Sequence, residues 1–229
     1  MRIEVASWNL RFAWGTDMRP SAGRIVDALG TFGADVVCLQ EAEARFGRRS
    51  SLPLGALSAM GWRPVHGGLG PGLGWRGNAV LLRGGWRADP PHHLSLRGWE
   101  VRGAVLVRLH GPEGALSLAC VHLGLAGWHR RAQLRAVHAA LEAMPGPHAI
   151  VGDTNEWRAG GLALPDGWTM AAPGPTYPSR RPVFPLDRVL AGPGLRIEGA
   201  RVVAEGFDRR ASDHLPVAAT LVGEGTPRA

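Results

Sequence analysis

Glycine and proline interrupt this chain so often that long helical bundles are excluded. The 229 residues include 33 glycines and 18 prolines, well above average usage of about 7% and 5%. Both residues break helices and both serve turns, so the fold must be assembled from short elements. Between the breaks lie nine apolar runs of strand length: 2–8, 35–40, 78–82, 103–109, 115–121, 148–152, 185–190, 197–203 and 215–221. The first alternates, with Ile3, Val5 and Ser7 on one face. Two segments carry strong helical periodicity. Residues 21–32 follow Pro20, offer Ser21 as a cap, place Ile25, Val26, Leu29 and Phe32 on one face, and stop at Gly33. Residues 129–144 space Leu134, Val137, Leu141 and Met144 helically and end before Pro145. A weaker helix covers 52–60. Many strands and few helices predict an α+β fold built on packed sheets.

A chain of this length buries about 70% of its unfolded surface and needs no covalent staples. Cys38 and Cys120 lie within apolar runs (DVVCLQ and LSLACVHL) and read as small buried hydrophobes rather than a disulfide. No apolar run approaches the roughly 18 residues of a membrane span. The N-terminal MRIEVASWNLRF has no apolar core of signal-peptide type, so a cytoplasmic location is expected. There is no repeat and no low-complexity linker, which predicts one domain over 1–229. The glycine-rich stretches 67–77 and 157–175 read as surface loops, and the GxGxxG-like fragments in the first follow no clear strand. The net charge is +7, and with no lysine in the sequence every positive side chain is arginine. Codon composition accounts for the missing lysine. The consequence is still physical, because guanidinium is always charged and grips phosphate through two parallel hydrogen bonds.

The informative pattern is where the strands end. SWN finishes at Asn9, CLQE at Glu41, and CVHL carries His122. GDTNEW carries Asp153 and Asn155, SDHLPV carries Asp213 and His214, and PLDRVL holds Asp187. A single polar residue after a strand ordinarily begins a turn. Together these residues supply carboxylates, carboxamides and imidazoles in a set that suits a hard divalent cation with oxygen ligands. Zinc-type HxH or HExxH spacing is absent. His92 and His93 read as part of a proline-bounded loop, and His138 lies on the long helix.

The ordered fragments WN (8–9), LQE (39–41), VHL (121–123), GDTN (152–155), LD (186–187) and SDH (212–214) resemble the endonuclease/exonuclease/phosphatase superfamily. The likeness spans nearly the whole chain and is nearest a compact bacterial subgroup. It implies a deoxyribonuclease I-like α/β/β/α sandwich, four layers with two mainly antiparallel sheets face to face, acting as a monomer. It also implies Mg²⁺ or Mn²⁺ held chiefly by Glu41, with Asn9 and Asp213 beside it. By the same resemblance Asp153 orients or deprotonates the attacking water, and Asn155 holds that water or the phosphate. His214 binds a non-bridging phosphate oxygen with Asp187 fixing its tautomer, and His122 contacts the phosphate from the opposite side. Arg102 and Asn78 are carried over as phosphate-binding residues. Thr154 stands where an aromatic is common, and Arg188 where tyrosine is frequent; neither touches a proposed ligand. The chemistry agrees with these roles: phosphodiester hydrolysis needs charge stabilisation around the oxygens, an in-line nucleophile and a base within hydrogen-bond reach of water.

The resemblance implies an anionic phosphoester substrate. Nucleic acid is the first expectation, from the +7 charge and the basic segments 128–135, 179–181 and 208–210. The alternative is a phospholipid headgroup or small phosphoester, since some members of that subgroup are suspected of acting on phospholipids. A non-catalytic binding module of the same fold is the remote alternative, and the full set of proposed catalytic residues argues against it. Trp8 is read as core or as support for Asn9. Trp75, Trp99, Trp128 and Trp157 lie near the motif-bearing loops and are assigned to core or rim packing, with stacking on bases or contact with acyl chains as the other role.

Overall fold

All nine strand-length runs form strands in the computed structural model, which describes residues 1–43, 50–65, 72–158 and 160–223. Of the glycine-rich stretch 67–77, the part before residue 72 lies outside the described residues, as does residue 159 in the second stretch. In chain order the strands are β1 (Arg2–Asn9), β2 (Val36–Gln40), β3 (Arg63–Pro64), β4 (Ala79–Leu82), β5 (Arg87–Ala88), β6 (His92–Leu96), β7 (Arg102–Gly111), β8 (Gly114–His122), β9 (His148–Asp153), β10 (Thr169–Ala171), β11 (Asp187–Ala191), β12 (Leu195–Val202) and β13 (Val217–Gly223). The α-helices are α1 (Ala22–Leu29), α2 (Leu54–Ala59) and α3 (Gly127–Glu142).

The strands form two sheets. One has the order β12-β13-β1-β2-β4-β3; the other runs β10-β11-β9-β8-β7-β5, with β6 also on β7. Pairing is antiparallel except for β1 with β2 and β8 with β9.

Three apolar clusters show how the layers stack. Ile3, Val5, Cys38, Val80, Val105, Leu118, Cys120, Val151, Val189 and Leu221 meet in the space between the sheets. Ala6, Trp8, Val37 and Leu39, the alternate residues of β1 and β2, pack outward on Ile25, Leu29 and Leu57 of α1 and α2. Leu106, Ala119, Val121 and Ile150 pack outward on Leu134, Val137 and Leu141 of α3. The order is therefore helix, sheet, sheet, helix, as expected. Each fully buried Val, Leu or Ile contributes about 1.5–3 kcal/mol, against about 0–1 kcal/mol for an exposed ion pair. The interlayer clusters hold the fold, and both cysteines are free within them.

Three local expectations are corrected. The first helix ends at Leu29 with Gly30 behind it, a turn before Gly33. Ser21 stands at its N-cap but makes no cap bond; its hydroxyl donates to the Ala211 carbonyl at 2.7 Å instead. His92 and His93 belong to β6, paired with Leu106 and Val105 of β7. An edge strand with one face toward solvent needs little apolar alternation, so HHLSL carries no clear strand signal.

Candidate active site

Strand parity builds the site. Side chains two apart share a face, and the inter-sheet face of β1 reads Ile3, Val5, Ser7, Asn9. On β8 it reads Leu116, Leu118, Cys120, His122, and on β9 Ala149, Val151, Asp153. On β11 it begins at Asp187 and continues through Val189 and Ala191. The candidate side chains are thus the last positions of the central core, where apolar packing gives way at one end of the sandwich. Register then aligns them, because Asp153 is the Cα partner of both His122 and Asp187.

Asp153 is the hub, and it is almost fully buried. Its Oδ2 accepts from Asn9 Nδ2 at 3.1 Å, and its Oδ1 accepts from the Asn155 backbone N–H at 2.9 Å. His122 Nε2 and His214 Nε2 stand 3.5 and 3.7 Å from Oδ2. Asn155 has a φ of 50° and donates its side-chain amide to the Leu123 carbonyl at 2.9 Å. That fixes the segment after β9 against the end of β8.

The two histidines have opposite electrostatics. Burial lowers the pKa of His122 to about 3, with the Arg102 cation opposing its protonation as well. Arg102 Nη1 lies 2.9 Å from His122 Nδ1. A guanidinium can only donate, so Nδ1 accepts and the imidazole proton sits on Nε2, toward Asp153. For His214, burial pulls the other way but is outweighed by Asp187, Asp153 and Asp213, which push its pKa up to about 10. His214 Nδ1 donates to Asp187 Oδ2 at 3.0 Å, and Thr176 Oγ1 donates to the same oxygen at 2.6 Å. The Trp8 ring is core, as expected, and its indole N–H holds the His214 carbonyl at 2.9 Å rather than Asn9.

The cleft above these groups has a volume of about 700 Å³. Asn9, Glu41, Arg102, His122, Asp153, Asn155 and His214 all line it. Asp213 sits at its side with Oδ2 3.4 Å from Arg11 Nε. Asn78 is the exception. It is fully buried, is not part of the cleft wall, and donates its amide to the Gly103 carbonyl at 2.9 Å. It ties β4 to the start of β7 across the two sheets, a structural bond that a sequence cannot distinguish from a phosphate contact.

The donor set fits a divalent cation. Burial raises the Glu41 carboxyl pKa, and the neighbouring carboxylates Asp213 and Asp153 raise it further. Such mutual repulsion is what a bound cation relieves. Asp153, Asp187 and His214 also bring one ligand atom each within 4.8 Å of one another. His214 Nδ1 already bonds Asp187 Oδ2, which also accepts from Thr176, and Asp153 Oδ2 accepts from Asn9, so Glu41 and Asp213, with the Asn9 oxygen that meets the Arg11 N–H at 3.1 Å, are the candidate oxygen-rich set for a hard cation.

Sequence reasoning missed the support beneath the cleft. Arg130 of α3 is buried; its Nε and Nη2 donate to Glu156 Oε2 at 3.2 and 2.7 Å, and its Nη1 donates to the carbonyls of Gly124 and Leu125. One turn on, Gln133 accepts from Gly124 N–H at 2.7 Å and donates to the Arg97 carbonyl at 2.9 Å. Together they tie the segments before β7, after β8 and after β9. Breaking a buried pair strands a charge at a cost of about 3–5 kcal/mol. Glu156→Gln is therefore expected to lower the melting temperature by about 6 °C or more, read by thermal unfolding; an unchanged Tm would show the pair to be dispensable.

A family model described as "Endonuclease/Exonuclease/phosphatase family" matches residues 6–214. An uncharacterized protein of Escherichia coli strain K12, YbhP, is 29% identical over 221 residues, covering 85% of this chain and 86% of the relative. Among solved structures, an endonuclease/exonuclease/phosphatase from Bacteroides vulgatus superposes with a TM-score of 0.76 at 17% identity over 98% of this chain and 100% of that one. One from Beutenbergia cavernae gives a TM-score of 0.73 at 22% identity over 100% and 73%. D. rerio TDP2, complexed with a single-strand DNA product, gives 0.74 at 19% identity over 96% and 99%.

Proposed function

The chain belongs to the endonuclease/exonuclease/phosphatase family, and from that premise we propose that it hydrolyses phosphodiesters by attack of water, assisted by Mg²⁺ or Mn²⁺. The observation that carries this reading is Asp153, a buried carboxylate ringed by Asn9, Asn155, His122 and His214 at the floor of a cleft. Glu41, with Asn9 and Asp213, would hold the cation. The cation's contribution is Lewis-acid neutralisation of charge on the phosphoryl oxygens.

The remaining steps belong to the chain's own groups. Asp153 accepts a proton from the attacking water, held by hydrogen bonds that leave its orientation little freedom. Asn155, locked to Leu123, positions that water or a phosphate oxygen. His214, kept cationic by Asp187, donates to a non-bridging oxygen as its charge grows. His122 is neutral and donates from Nε2, with Arg102 behind it fixing the tautomer and facing the cleft itself.

Two substrate readings have support. Nucleic acid is supported by the +7 charge and by the likeness to TDP2. Part of that charge is already used, since Arg130 is paired with Glu156 and Arg210 with Asp208. A phospholipid headgroup is supported by the exposed apolar side chains on the loops around the cleft.

The test is a panel of plasmid, single-stranded oligonucleotide, phospholipid and bis(4-nitrophenyl) phosphate with Mg²⁺ or Mn²⁺. Excess EDTA is expected to abolish every activity, and added metal to restore it. Glu41→Gln is expected to require much more metal for half-maximal rate. Full activity in EDTA would overturn the metal-assisted reading.

A further inference from the structure

Among the described residues, seven of the exposed large apolar side chains, Trp99, Val101, Leu125, Trp128, Trp157, Val183 and Phe184, lie on the loops before β7, after β8, after β9 and before β11 or on the first turn of α3. Before β7, Trp99 is 78% and Val101 76% exposed; between β8 and α3, Leu125 is 64% exposed, with Trp128 just beyond. Trp99 and Trp128 meet edge to face, ring centres 5.6 Å apart. On the other side of the cleft Trp157 meets Phe184 at 6.0 Å, with Val183 exposed beside it. Leu125, Trp157 and Phe184 also line the cleft, so this apolar rim is continuous with its mouth. Soluble proteins rarely gather exposed apolar groups in this way without a partner.

The exposed charge beside these side chains is mainly basic; the exposed acid of the same loops, Asp166, stands near the start of β10. Arg97, Arg131, Arg158, Arg180 and Arg181 are exposed, and Arg158 lies over the Trp157 ring at 4.8 Å. The two acids next to the rim tryptophans are turned inward: Glu156 is buried against Arg130, and Glu100 accepts from the Leu125 N–H. A surface of tryptophans and aliphatic side chains, flanked by unpaired arginines, matches the headgroup zone of an anionic bilayer. Indole rings favour that zone, aliphatic tips enter the acyl boundary, and arginine stems extend to the phosphates. Bases would stack on the tryptophans, but they offer nothing to Val101, Leu125 or Val183, which have no ring face.

We propose that this rim docks the protein on anionic membrane surfaces, with the cleft opening onto the lipid headgroups. The proposal rests on the phosphodiesterase reading for its purpose and on the rim alone for its binding. The experiment measures co-sedimentation of the full chain with vesicles of phosphatidylglycerol and phosphatidylcholine, against vesicles of phosphatidylcholine alone. Turnover of bis(4-nitrophenyl) phosphate is followed in parallel. Binding is expected to the anionic vesicles, to shift tryptophan emission to shorter wavelength, and to weaken with salt. Trp99→Ser/Trp128→Ser is expected to cut binding by about ten-fold or more, equivalent to about 1.4 kcal/mol, with turnover of the soluble diester unchanged. Arg180→Glu/Arg181→Glu is expected to act in the same direction. Soluble turnover without vesicle binding overturns the docking proposal and spares the phosphodiesterase reading; vesicle binding without any turnover does the reverse. Binding of a single-stranded oligonucleotide that is lost in the tryptophan variant, with no binding to vesicles, identifies the rim as a nucleic-acid surface and overturns the proposal.

Discussion

Asp153→Asn is expected to lower kcat on a phosphodiester by about 10³-fold, within the range for losing a positioned general base, while KM stays level or falls. The substitution is isosteric, so the cleft keeps its shape. Its Oδ1 can still accept from the Asn155 N–H, which is 2.9 Å away in the native protein. What is lost is the charge and the basicity. Removing a negative charge from the floor of a phosphate site also removes repulsion toward the substrate, so binding has no reason to weaken. The new amide would face the Asn9 amide and the His122 Nε2–H, both donors toward Oδ2 in the native arrangement. That mismatch is expected to cost about 1–3 kcal/mol of stability, but the three interlayer cores remain and the variant folds. Steady-state kinetics with circular dichroism separates the two effects. Native kcat in a folded variant would remove Asp153 from the chemistry, and a large rise in KM at unchanged kcat would make it a binding group only.

The parts of this molecule written in period two were legible in its sequence. Runs such as RIEVASW and ALSLACV alternate between two apolar surfaces, so the strands and their polar ends could be read together. Asn9, His122, Asp153 and Asp187 fall on one inter-sheet face because each continues the parity of the core residues before or after it. Asn78 has the same position on its strand, yet it meets the Gly103 carbonyl rather than the cleft. Its motif fixed its face but not its partner. Arg130, Gln133, Glu156 and Thr176 were illegible for a related reason. Their pairings join residues 9 to 36 positions apart through loops whose paths only the packed sheets define. The basic segment 128–135 reads in sequence as charge for a nucleic-acid backbone, whereas the Arg130 guanidinium within it is buried as a clamp on Glu156. The rim tryptophans show the converse case: sequence placed them near the site loops, and only the fold reveals how exposed Trp99, Trp128 and Trp157 are.

His214→Ala is expected to reduce kcat by about 10²–10³-fold, the usual effect of deleting one donor that stabilises transition-state charge. Two roles for the histidine predict different patterns. A donor to a non-bridging phosphate oxygen helps every substrate, because that charge develops whatever group departs. A proton donor to the leaving oxygen helps only where the leaving group is a poor one, and its loss would go unnoticed with 4-nitrophenolate. The geometry favours the first role: Nδ1 is committed to Asp187 at 3.0 Å, the ring is held cationic by its acidic neighbours, and Nε2 stands over the Asp153 floor rather than at the outer rim. The deficit should therefore be similar for bis(4-nitrophenyl) phosphate and for an unactivated diester. Asp187→Asn extends the test. Its amide could donate to Nδ1 and so turn the ring into the wrong tautomer, and a neutral partner would no longer stabilise the imidazolium. Its kcat should fall nearly as far as that of His214→Ala, and combining the two should add little, because both remove the same oriented cation. A double variant whose losses multiplied would show that Asp187 acts independently of His214, and a deficit confined to the unactivated diester would reassign His214 to the leaving group.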